Sequence, residues 1–364
     1  MKHKRPRKGP LLWLAKRRRH TKMMVTMSDK PLASRLEGKK VGQWNVIKRK
    51  PKDAADSSGY FSSCYYVEND KKEKAFLKAY NYVYAFNRKA GSADTLKFMT
   101  ENFTYERDLL KLCGNSKMRR VVMAIDSGEY EEPGEVITVP FLVFEEADGG
   151  NLTSFLPISN LSWKLQSFHG ALLGVSQLHK AKVAHQDIKP SNILIFGKTV
   201  AKISDLGSAT QFGNASNWEQ LDIAGDQRYA PVELLYKYFS PNWETRRFGA
   251  DLFMLGGLLT YMVADANFLS MLYAKLESHQ RHNSFGGNFN QAMPFLVNAY
   301  HLALSDLKPC IPEKIRDELV QIIAELTHPD PDKRGNPRRL GSPHGQFSLE
   351  RYISIIDRLS KKIK

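Results

Sequence analysis

The pattern of apolar residues changes once along the chain, and this change constrains the fold more than any other feature. Up to about Glu146 the sequence holds short runs rich in β-branched and aromatic residues, separated by turn-prone stretches such as "DSSGYFSS", "NRKAGSADT" and "EEPGE". After about Leu161 the apolar residues recur at helical spacing, as in "ADLFMLGGLLTYMV" and "PEKIRDELVQIIAELT". Because strands and helices are segregated, the sequence predicts an α+β protein and disfavours an alternating parallel-sheet fold.

One predicted helix interrupts the strand-rich part. From Leu96 to Cys113 the apolar residues recur at roughly helical spacing, and Gly114 stands where a helix would stop. A chain of 364 residues is long for a single core, so we expect two lobes.

The positive charge of the chain is concentrated at its amino-terminal end. The formal net charge is +16, and residues 1–22 contain ten Lys and Arg residues but no Asp or Glu. We expect residues 1–27 to form a basic, disordered tail, or to precede a true start at a methionine between 23 and 27. The alternative is an arm that contacts nucleic acid or an anionic membrane surface. The apolar run Leu11–Ala15 is far too short for a transmembrane segment.

Cysteine usage predicts a reducing, cytoplasmic setting. Cys64, Cys113 and Cys310 are scattered, and their spacing is not typical of a metal or redox motif. The apolar fraction of 42% and the charged fraction of 25% are ordinary for a globular protein, so the chain can bury a sizeable core.

The segment "HQDIKPSNIL" has the residue types that phosphoryl transfer requires. The reaction needs a carboxylate beside the acceptor hydroxyl, a cation on the transferred phosphate and ligands for Mg²⁺. Asp187 would supply the carboxylate, Lys189 the cation and Asn192 a metal-ligand oxygen. A His-x-Asp triplet alone is common, but the Lys, Pro and Asn that follow at these positions make chance a poor explanation.

A second carboxylate follows in "AKISDLGSA". Asp205 comes after apolar, strand-like residues, eighteen positions beyond Asp187, and precedes Leu-Gly. An isolated Asp-Leu-Gly is most often an ordinary turn, but its distance from Asp187 favours a metal ligand. Asp205 and Asn192 together predict a Mg²⁺ site, because this hard cation takes oxygen ligands and bridges phosphates.

With these motifs the chain resembles the eukaryotic-type serine/threonine protein kinases over roughly residues 44–340. The segments "GDQRYAPVELLY" and "HQDIKPSNIL" are most similar to those of eukaryotic-like kinases found in bacteria. The resemblance implies a two-lobed protein kinase fold, with a small strand-rich N-lobe at residues 44–146 and a larger, mainly helical C-lobe at 147–360. It also implies transfer of the γ-phosphate of ATP to Ser or Thr hydroxyls of protein substrates.

In this family a glycine-rich turn covers the phosphates of ATP. The segment "SSGYFSSC" aligns with that turn, although only one of the three glycines is present. The implied ATP-binding residues are Ser57, Gly59 and Ser62 at the glycine positions, Phe61 at the tip and Cys64 at the usual valine. Taken alone, the segment is more typical of an ordinary hairpin turn.

The family also pairs a lysine of the third strand with a glutamate of the first helix. Lys78 in "AFLKAY" and Glu106 in "NFTYERDLLKLC" match these positions. The implied ion pair directs the lysine toward the α- and β-phosphates, and the alternative is a solvated surface pair. Phe76 stands where the family has a small alanine above the adenine, which puts nucleotide affinity in doubt.

The segment "FLVFEEADGGNL" resembles the hinge that binds adenine. The resemblance implies that Phe144 gates the pocket behind the base, and that the Glu145 carbonyl and the Ala147 amide bind its edge. Leu194 would lie below the base as the last residue of "NIL".

Further positions match the scaffold of the family. The resemblance implies a buried bridge between Glu233 and Arg334, and it places Asp251 beneath the catalytic loop. Asp226 departs from the family, because a threonine often stands there beside the catalytic aspartate. This departure puts the way in which the acceptor hydroxyl is held in doubt.

Gln186 departs from the family as well. Many kinases have an arginine there that binds a phosphate on the activation segment, and this contact switches activity on. Glutamine carries no charge, so we hypothesise a kinase that does not depend on phosphorylation of this segment. Residues 205–233 still contain the hydroxyls of Ser208, Thr210 and Ser216.

The sequence therefore predicts an active protein kinase that uses ATP and Mg²⁺. One alternative is a pseudokinase that serves as an interaction module, which the eroded glycine turn, Phe76 and Asp226 favour. A third candidate is a small-molecule kinase with the same fold. The segment "APVE" favours a protein acceptor over it.

Overall fold

The computed structural model of the protein describes most of the chain as two compact units. The described residues are 30–51, 62–83, 92–135, 137–342 and 345–363. The predicted basic tail, residues 1–27, lies outside them. Unit 1 contains the described residues up to Asp108 together with Ala124–Glu146, and unit 2 contains Leu109–Met123 and the described residues from Ala147 onward.

Unit 1 is built around a six-stranded sheet in which every paired strand is antiparallel. The strand order is β1-β2-β3-β4-β6-β5. The strands are β1 (Lys40–Val41), β2 (Trp44–Arg49), β3 (Ser62–Asn69), β4 (Lys74–Tyr80), β5 (Ala124–Tyr130) and β6 (Val139–Glu145). The central position of β4, between β3 and β6, places its side chains in the middle of both sheet faces.

Alternation along β4 separates the core of unit 1 from its other face. Ala75, Leu77 and Ala79 are fully buried in an apolar core, whereas Phe76 and Lys78 between them are only half-buried. Successive side chains of a strand point to opposite faces, so Phe76 and Lys78 share the face away from this core. Because the opposite face of β4 is buried in the core, Lys78 must point away from that core.

The predicted helix of this region is longer than its apolar pattern. The helix α1 runs Ser92–Asn115, whereas the apolar spacing predicted Leu96 to Cys113. Its first turn contains Asp94, and a carboxylate there interacts favourably with the positive end of the helix dipole. Gly114 is the penultimate residue of the helix and does not lie beyond it, so the helix ends one residue later than the glycine indicated.

Unit 2 is mainly helical. Its helices are α2 (Leu152–Phe155), α3 (Leu161–Lys180), α4 (Val232–Leu235), α5 (Trp243–Ala264), α6 (Phe268–Ala274), α7 (Phe289–Leu307), α8 (Glu313–Thr327) and α9 (Glu350–Lys362). Two small antiparallel ribbons pair β7 (Val183–Ala184) with β10 (Thr210–Gln211), and β8 (Ile193–Phe196) with β9 (Val200–Ile203). The predicted segregation of strands and helices, and with it the α+β class, is confirmed.

The helix α5 forms the centre of unit 2. Asn242 caps its first turn by accepting a hydrogen bond from the Thr245 amide, as asparagine often does at this position. Most of its residues are buried, and a Cβ at Gly256 would lie only 2.3 Å from the side chain of Thr327 in α8. The glycine therefore lets the two helices approach closely. This packing fixes α5 as a support for the polar residues that it carries.

The apolar helices of the described residues do not individually meet the requirement for a membrane span. No single one of them is long and apolar enough to cross a bilayer. Only α5 and α6 taken together pass by length and composition, and they are bent by 81° at their junction.

A buried ion pair links α4 to the segment after α8. Both guanidinium Nη atoms of Arg334 lie 2.7 Å from carboxylate oxygens of Glu233, and neither side chain is exposed by more than 4%. Arg334 also donates to the carbonyls of Gly249 and His328. All three guanidinium nitrogens of Arg334 thus donate hydrogen bonds, which is the condition under which a buried charge is tolerated.

Glu233→Gln is expected to lower the free energy of unfolding by about 3–5 kcal/mol, because Arg334 would keep a buried charge without its partner. The control is Glu318→Gln, which removes the carboxylate of the exposed pair with Arg358 and is expected to cost about 1 kcal/mol or less. Urea unfolding followed by tryptophan fluorescence measures both variants. An equal loss of unfolding free energy in both variants would show that the buried bridge contributes no more to stability than the exposed pair does.

Candidate active site

In unit 1, Lys78 of β4 forms an ion pair with Glu106 of α1. The Lys78 Nζ lies 2.9 Å from Oε1 and 3.2 Å from Oε2 of Glu106. The Tyr80 hydroxyl donates to the same carboxylate over 2.6 Å, and Glu106 is buried. Since the carboxylate is held by two donors and shielded from water, this pair is well ordered and is not the solvated surface pair of the alternative interpretation.

The strands beside Lys78 carry several of the other predicted nucleotide-binding residues. Cys64 of β3 pairs with Lys78 in register, so both side chains lie on one face of the sheet. Ser62 at the start of β3 is buried. The predicted residues Ser57, Gly59 and Phe61 lie outside the described residues.

Phe76 contacts its neighbours on this same face. Its ring lies edge-on to Tyr66, with centroids 5.9 Å apart, and it pairs in register with Phe144. Lys50 lies 6.0 Å from the ring centroid. The large side chain that replaces the expected alanine is therefore packed within unit 1 by an aromatic and a cationic neighbour.

The predicted hinge residues fall at the end of unit 1 and the start of unit 2. Glu145 is the last residue of β6 and pairs in register with Ala75. Ala147 is the first residue of unit 2, and its carbonyl accepts a hydrogen bond from Gly150. Leu194 of β8 is half-buried, on the face opposite to the buried Ile193 and Ile195.

In unit 2 the structure brings Asp187, Lys189 and Asn192 together. Lys189 Nζ lies 2.9 Å from Asp187 Oδ2, and Asn192 Nδ2 donates to the same oxygen over 2.9 Å. All three residues are buried. Pro190 begins a short 3-10 turn that ends at Asn192, and the fixed φ of proline is pre-organised for such a start. The turn reverses the chain, so the side chains of Lys189 and Asn192 both contact Asp187.

Asp205 lies next to this loop because of the β8–β9 ribbon. Ile193 pairs with Ile203, so the residues just outside the ribbon, Asn192 and Ser204, are neighbours, and the Ser204 amide donates to the Asn192 carbonyl over 2.9 Å. Asp205 follows with a left-handed φ of +63°, a conformation that Asp tolerates better than most residues. The hairpin thus carries both predicted metal ligands at one end.

The electrostatics of this end suit a bound cation. Burial raises the pKa of Asp187, the neighbouring Lys189 opposes that rise, and the nearby charge of Asp205 adds to it. Asn192 uses its Nδ2 on Asp187, which leaves the amide oxygen as its acceptor atom. The carboxylate of Asp205 and the amide oxygen of Asn192 are donor types that Mg²⁺ takes, so these two residues fit the predicted metal.

Asp251 of α5 supports the loop from below. It is fully buried, and it accepts hydrogen bonds from the backbone amides of His185 and Gln186, each over 2.8 Å. His179 Nε2 lies 2.9 Å from the same carboxylate. These contacts hold the loop where Gln186 takes a left-handed φ of +67°. Asp251 therefore contacts the loop directly, as its predicted scaffold role requires.

Asp226 contacts the predicted catalytic pair from the opposite side. Its amide donates to Asp187 Oδ1 over 2.9 Å, and its Oδ2 lies 3.8 Å from Lys189 Nζ. Arg228 donates to both oxygens of the Asp226 carboxylate. Burial alone would raise the pKa of Asp226, but the hydrogen bonds from Arg228, together with the charges of Lys189 and Arg228, outweigh it and lower the pKa. The additional carboxylate is therefore ionised and neutralised by its own neighbour.

Comparison with known proteins identifies the family of the chain. A model of the protein kinase domain matches residues 58–342, which is more than half of the sequence. The chain belongs to the protein kinase family. The predicted kinase fold is thereby confirmed, whereas the particular similarity to bacterial members stays a prediction.

Several relatives of this kinase domain carry serine/threonine-protein kinase in their names. A probable receptor-like serine/threonine-protein kinase of Arabidopsis thaliana is 35% identical over 102 residues, which are 25% of this chain and 23% of the relative. A serine/threonine-protein kinase of Caenorhabditis elegans is 39% identical over 98 residues, 26% of this chain and 20% of the relative. A serine/threonine-protein kinase/endoribonuclease of Oryza sativa subsp. japonica is 27% identical over 218 residues, 55% of this chain and 20% of the relative. The matches span about a quarter or less of each relative.

Sequence reasoning missed two residues of this kinase domain, one in each unit, that contact the predicted site residues. Tyr80 donates to Glu106, and its position two residues after Lys78 on a strand was the signal that both share a face. Gly225 was missed because nothing local distinguishes it. A Cβ there would lie 2.3 Å from the Gln186 carbonyl and 2.7 Å from Asp187 Oδ1, so only glycine allows this approach.

Gly225→Ala is therefore expected to lower the free energy of unfolding by about 1–3 kcal/mol and to break the hydrogen bond between the Asp226 amide and Asp187. The control is Gly257→Ala in α5, where a Cβ meets nothing within 4 Å and is expected to stabilise the helix by about 0.5–1 kcal/mol. Thermal unfolding measures the stability of both variants, and amide hydrogen exchange at Asp226 measures the loss of its hydrogen bond to Asp187. A Gly225 variant as stable as the control would contradict the close approach.

Proposed function

We propose that this protein is an active kinase that transfers the γ-phosphate of ATP to Ser or Thr hydroxyls of protein substrates. The observation that carries the proposal is the buried group of Asp187, Lys189 and Asn192, with Asp205 at the same end of the β8–β9 ribbon. A carboxylate, a cation and oxygen ligands are the components of a phosphoryl-transfer site. The ion pair of Lys78 and Glu106 in unit 1 supplies a further cation for phosphates.

Each residue has a defined role in this proposal. Asp187 orients the acceptor hydroxyl and accepts its proton, and Lys189 stabilises the negative charge on the transferring group. Asn192 and Asp205 would hold Mg²⁺, which supplies positive charge to the phosphates when bound. Lys78, oriented by Glu106, binds the phosphates of ATP, and Glu145, Ala147 and Leu194 are the proposed contacts of the base.

The proposed acceptor is a Ser or Thr hydroxyl of a protein. Lys189, two residues after Asp187, is typical of serine/threonine kinases in the family, and the relatives named above are serine/threonine kinases by name. The segment "APVE" favours a protein acceptor. The cytoplasmic location, and any contact of the basic tail with nucleic acid or an anionic membrane, stay predictions.

The pseudokinase is the second candidate, and Asp226 is the observation that favours it. Its backbone amide donates to Asp187, and its carboxylate lies 3.8 Å from Lys189 Nζ, so it adds a negative group beside the proposed catalytic pair. However, Arg228 pairs with that carboxylate, so it adds little net negative charge beside Asp187. The pairing with Arg228 therefore weakens the case that Asp226 makes for an inactive protein.

Asp187→Asn is expected to lower kcat by at least about 100-fold while ATP binding is retained, because it removes the proton acceptor but keeps the shape of the side chain. Transfer of labelled phosphate from Mg-ATP to a generic Ser/Thr protein substrate measures kcat, and Asp317→Asn on the exposed side of α8 is the matched control. Wild-type protein that binds ATP without transferring phosphate would favour the pseudokinase. Equal turnover in both variants would contradict the role of Asp187.

Lys78→Met is expected to weaken ATP binding by about 10–100-fold, since a hydrogen bond to a charged group contributes about 1.5–3 kcal/mol. Lys74→Met, at the exposed start of the same strand, is the control and is expected to bind ATP as the wild type does. Isothermal titration calorimetry with Mg-ATP gives both dissociation constants. If both variants had the same dissociation constant for Mg-ATP, Lys78 would not contribute to phosphate binding.

A further inference from the structure

Arg247 of α5 is a buried cation with partners on two separate segments. Its Nη1 donates to Gln186 Oε1 over 3.1 Å, and its Nη2 donates to the Glu219 carbonyl over 3.0 Å. Its Nε lies 3.3 Å from the Glu219 carboxylate. Only 4% of the side chain is exposed. One guanidinium thus joins the residue next to Asp187 to the segment that follows Asp205.

Glu219 is the counter-charge of this arginine. Its Oε1 lies 3.2 Å from Arg246 as well as near Arg247, and its Oε2 accepts a hydrogen bond from the Thr210 hydroxyl. Burial alone would raise the pKa of Glu219, but the hydrogen bond from Thr210 and the charges of both arginines outweigh it and lower the pKa. Glu219 is therefore an ionised carboxylate at neutral pH, facing two guanidinium groups.

The neutral side chain at position 186 is what this arrangement requires. Burial lowers the pKa of Arg247, and Glu219 already serves both Arg246 and Arg247, so a further cation at position 186 would be costly. Gln186 instead accepts from Arg247 and donates to the Arg247 carbonyl over 3.0 Å and to Asp251 over 3.1 Å. Every polar atom of its amide group is used within unit 2, so the residue is held in one position.

The Ser and Thr hydroxyls between Asp205 and Glu233 are poorly placed to receive a phosphate. Thr210 and Ser216 are buried, with 1% and 4% of their surface exposed. The Ser208 hydroxyl donates to the Ala224 carbonyl over 3.3 Å. The strand β10, which contains Thr210, is paired with β7 just before the catalytic loop. The segment is thus ordered through groups that belong to the chain itself.

We propose that Glu219 is a positioning residue that takes the place of an activating phosphate, holding Arg247 against Gln186 and so setting the segment between Asp205 and Glu233 for catalysis. This inference rests on the proposed kinase function and names how its active form is maintained. The contact passes from Glu219 through Arg247 and Gln186 to the neighbouring Asp187, and the Asp226 amide completes it from the segment side.

The test is Glu219→Gln in the full chain, with Glu318→Gln as the exposed control. In Glu219→Gln we expect kcat to fall about 10- to 100-fold with an unchanged KM for ATP, as small displacements near reacting groups produce such losses. We also expect faster amide exchange in residues 206–232, measured by mass spectrometry.

Wild-type protein treated with a phosphatase is expected to keep its activity. If Glu219→Gln does not fold, Thr210→Val, which removes one hydroxyl donor to Glu219, is expected to give a smaller change in the same direction.

The outcomes separate this inference from the proposed function. Unchanged exchange in Glu219→Gln overturns the positioning role, whatever its activity. Faster exchange with unchanged kcat also overturns it, because the segment would then not matter for catalysis. Loss of activity after phosphatase treatment overturns the replacement of a phosphate. A wild type that transfers no phosphate overturns the proposed function, and the exchange measurement then still decides whether Glu219 orders the segment.

Discussion

The candidate active site of unit 2 depends on the buried carboxylate of Asp251. A charge in the interior is tolerated only when hydrogen bonds replace its lost hydration, and here they come from the backbone amides of His185 and Gln186. The same bonds fix the backbone that carries Asp187, including the left-handed conformation at Gln186. Satisfying the carboxylate and shaping the loop are therefore one physical event, and α5 provides the rigid support on which both rest.

The groups around this loop form a connected set of buried polar contacts. Lys189 and Asn192 share Asp187, Gln186 joins Asp251 to Arg247, and Arg247 joins Glu219. In a low-dielectric interior each unpaired member would be costly, so such a set is stable when it is complete and weak when one part is missing. In the proposed role of Glu219, this property lets a segment far along the chain influence the geometry beside Asp187. Unit 1 uses the same principle on a smaller scale, where Tyr80 and Lys78 share Glu106.

Prediction from the sequence succeeded where the pattern was local. The change from strand-like to helical spacing predicted the α+β class, because burial on one face imposes a period of two on strands and about 3.6 on helices. The proximity of Asp187, Lys189 and Asn192 could be predicted because the three lie within six consecutive residues. The helix α1 was found with shortened ends, since the residues of its first turn belong to polar positions that carry no apolar period. Phe76 and Asp226 were recognised as departures, but their neighbours Tyr66 and Arg228 were not foreseen.

The sequence by itself thus determined the class of fold, the family and the short motifs that hold the proposed catalytic groups. The tertiary structure decided which distant residues support them, as with Gly225 against Asp187 and Glu219 against Arg247. Such pairs are set by how helices and loops pack, and no spacing along the chain encodes a contact between residues that only the folded backbone brings together. Burial has the same origin. A glutamate or an arginine looks like a surface residue in the sequence, and only the packing of the folded chain buries Arg247, shields much of Glu219 and makes their pairing necessary.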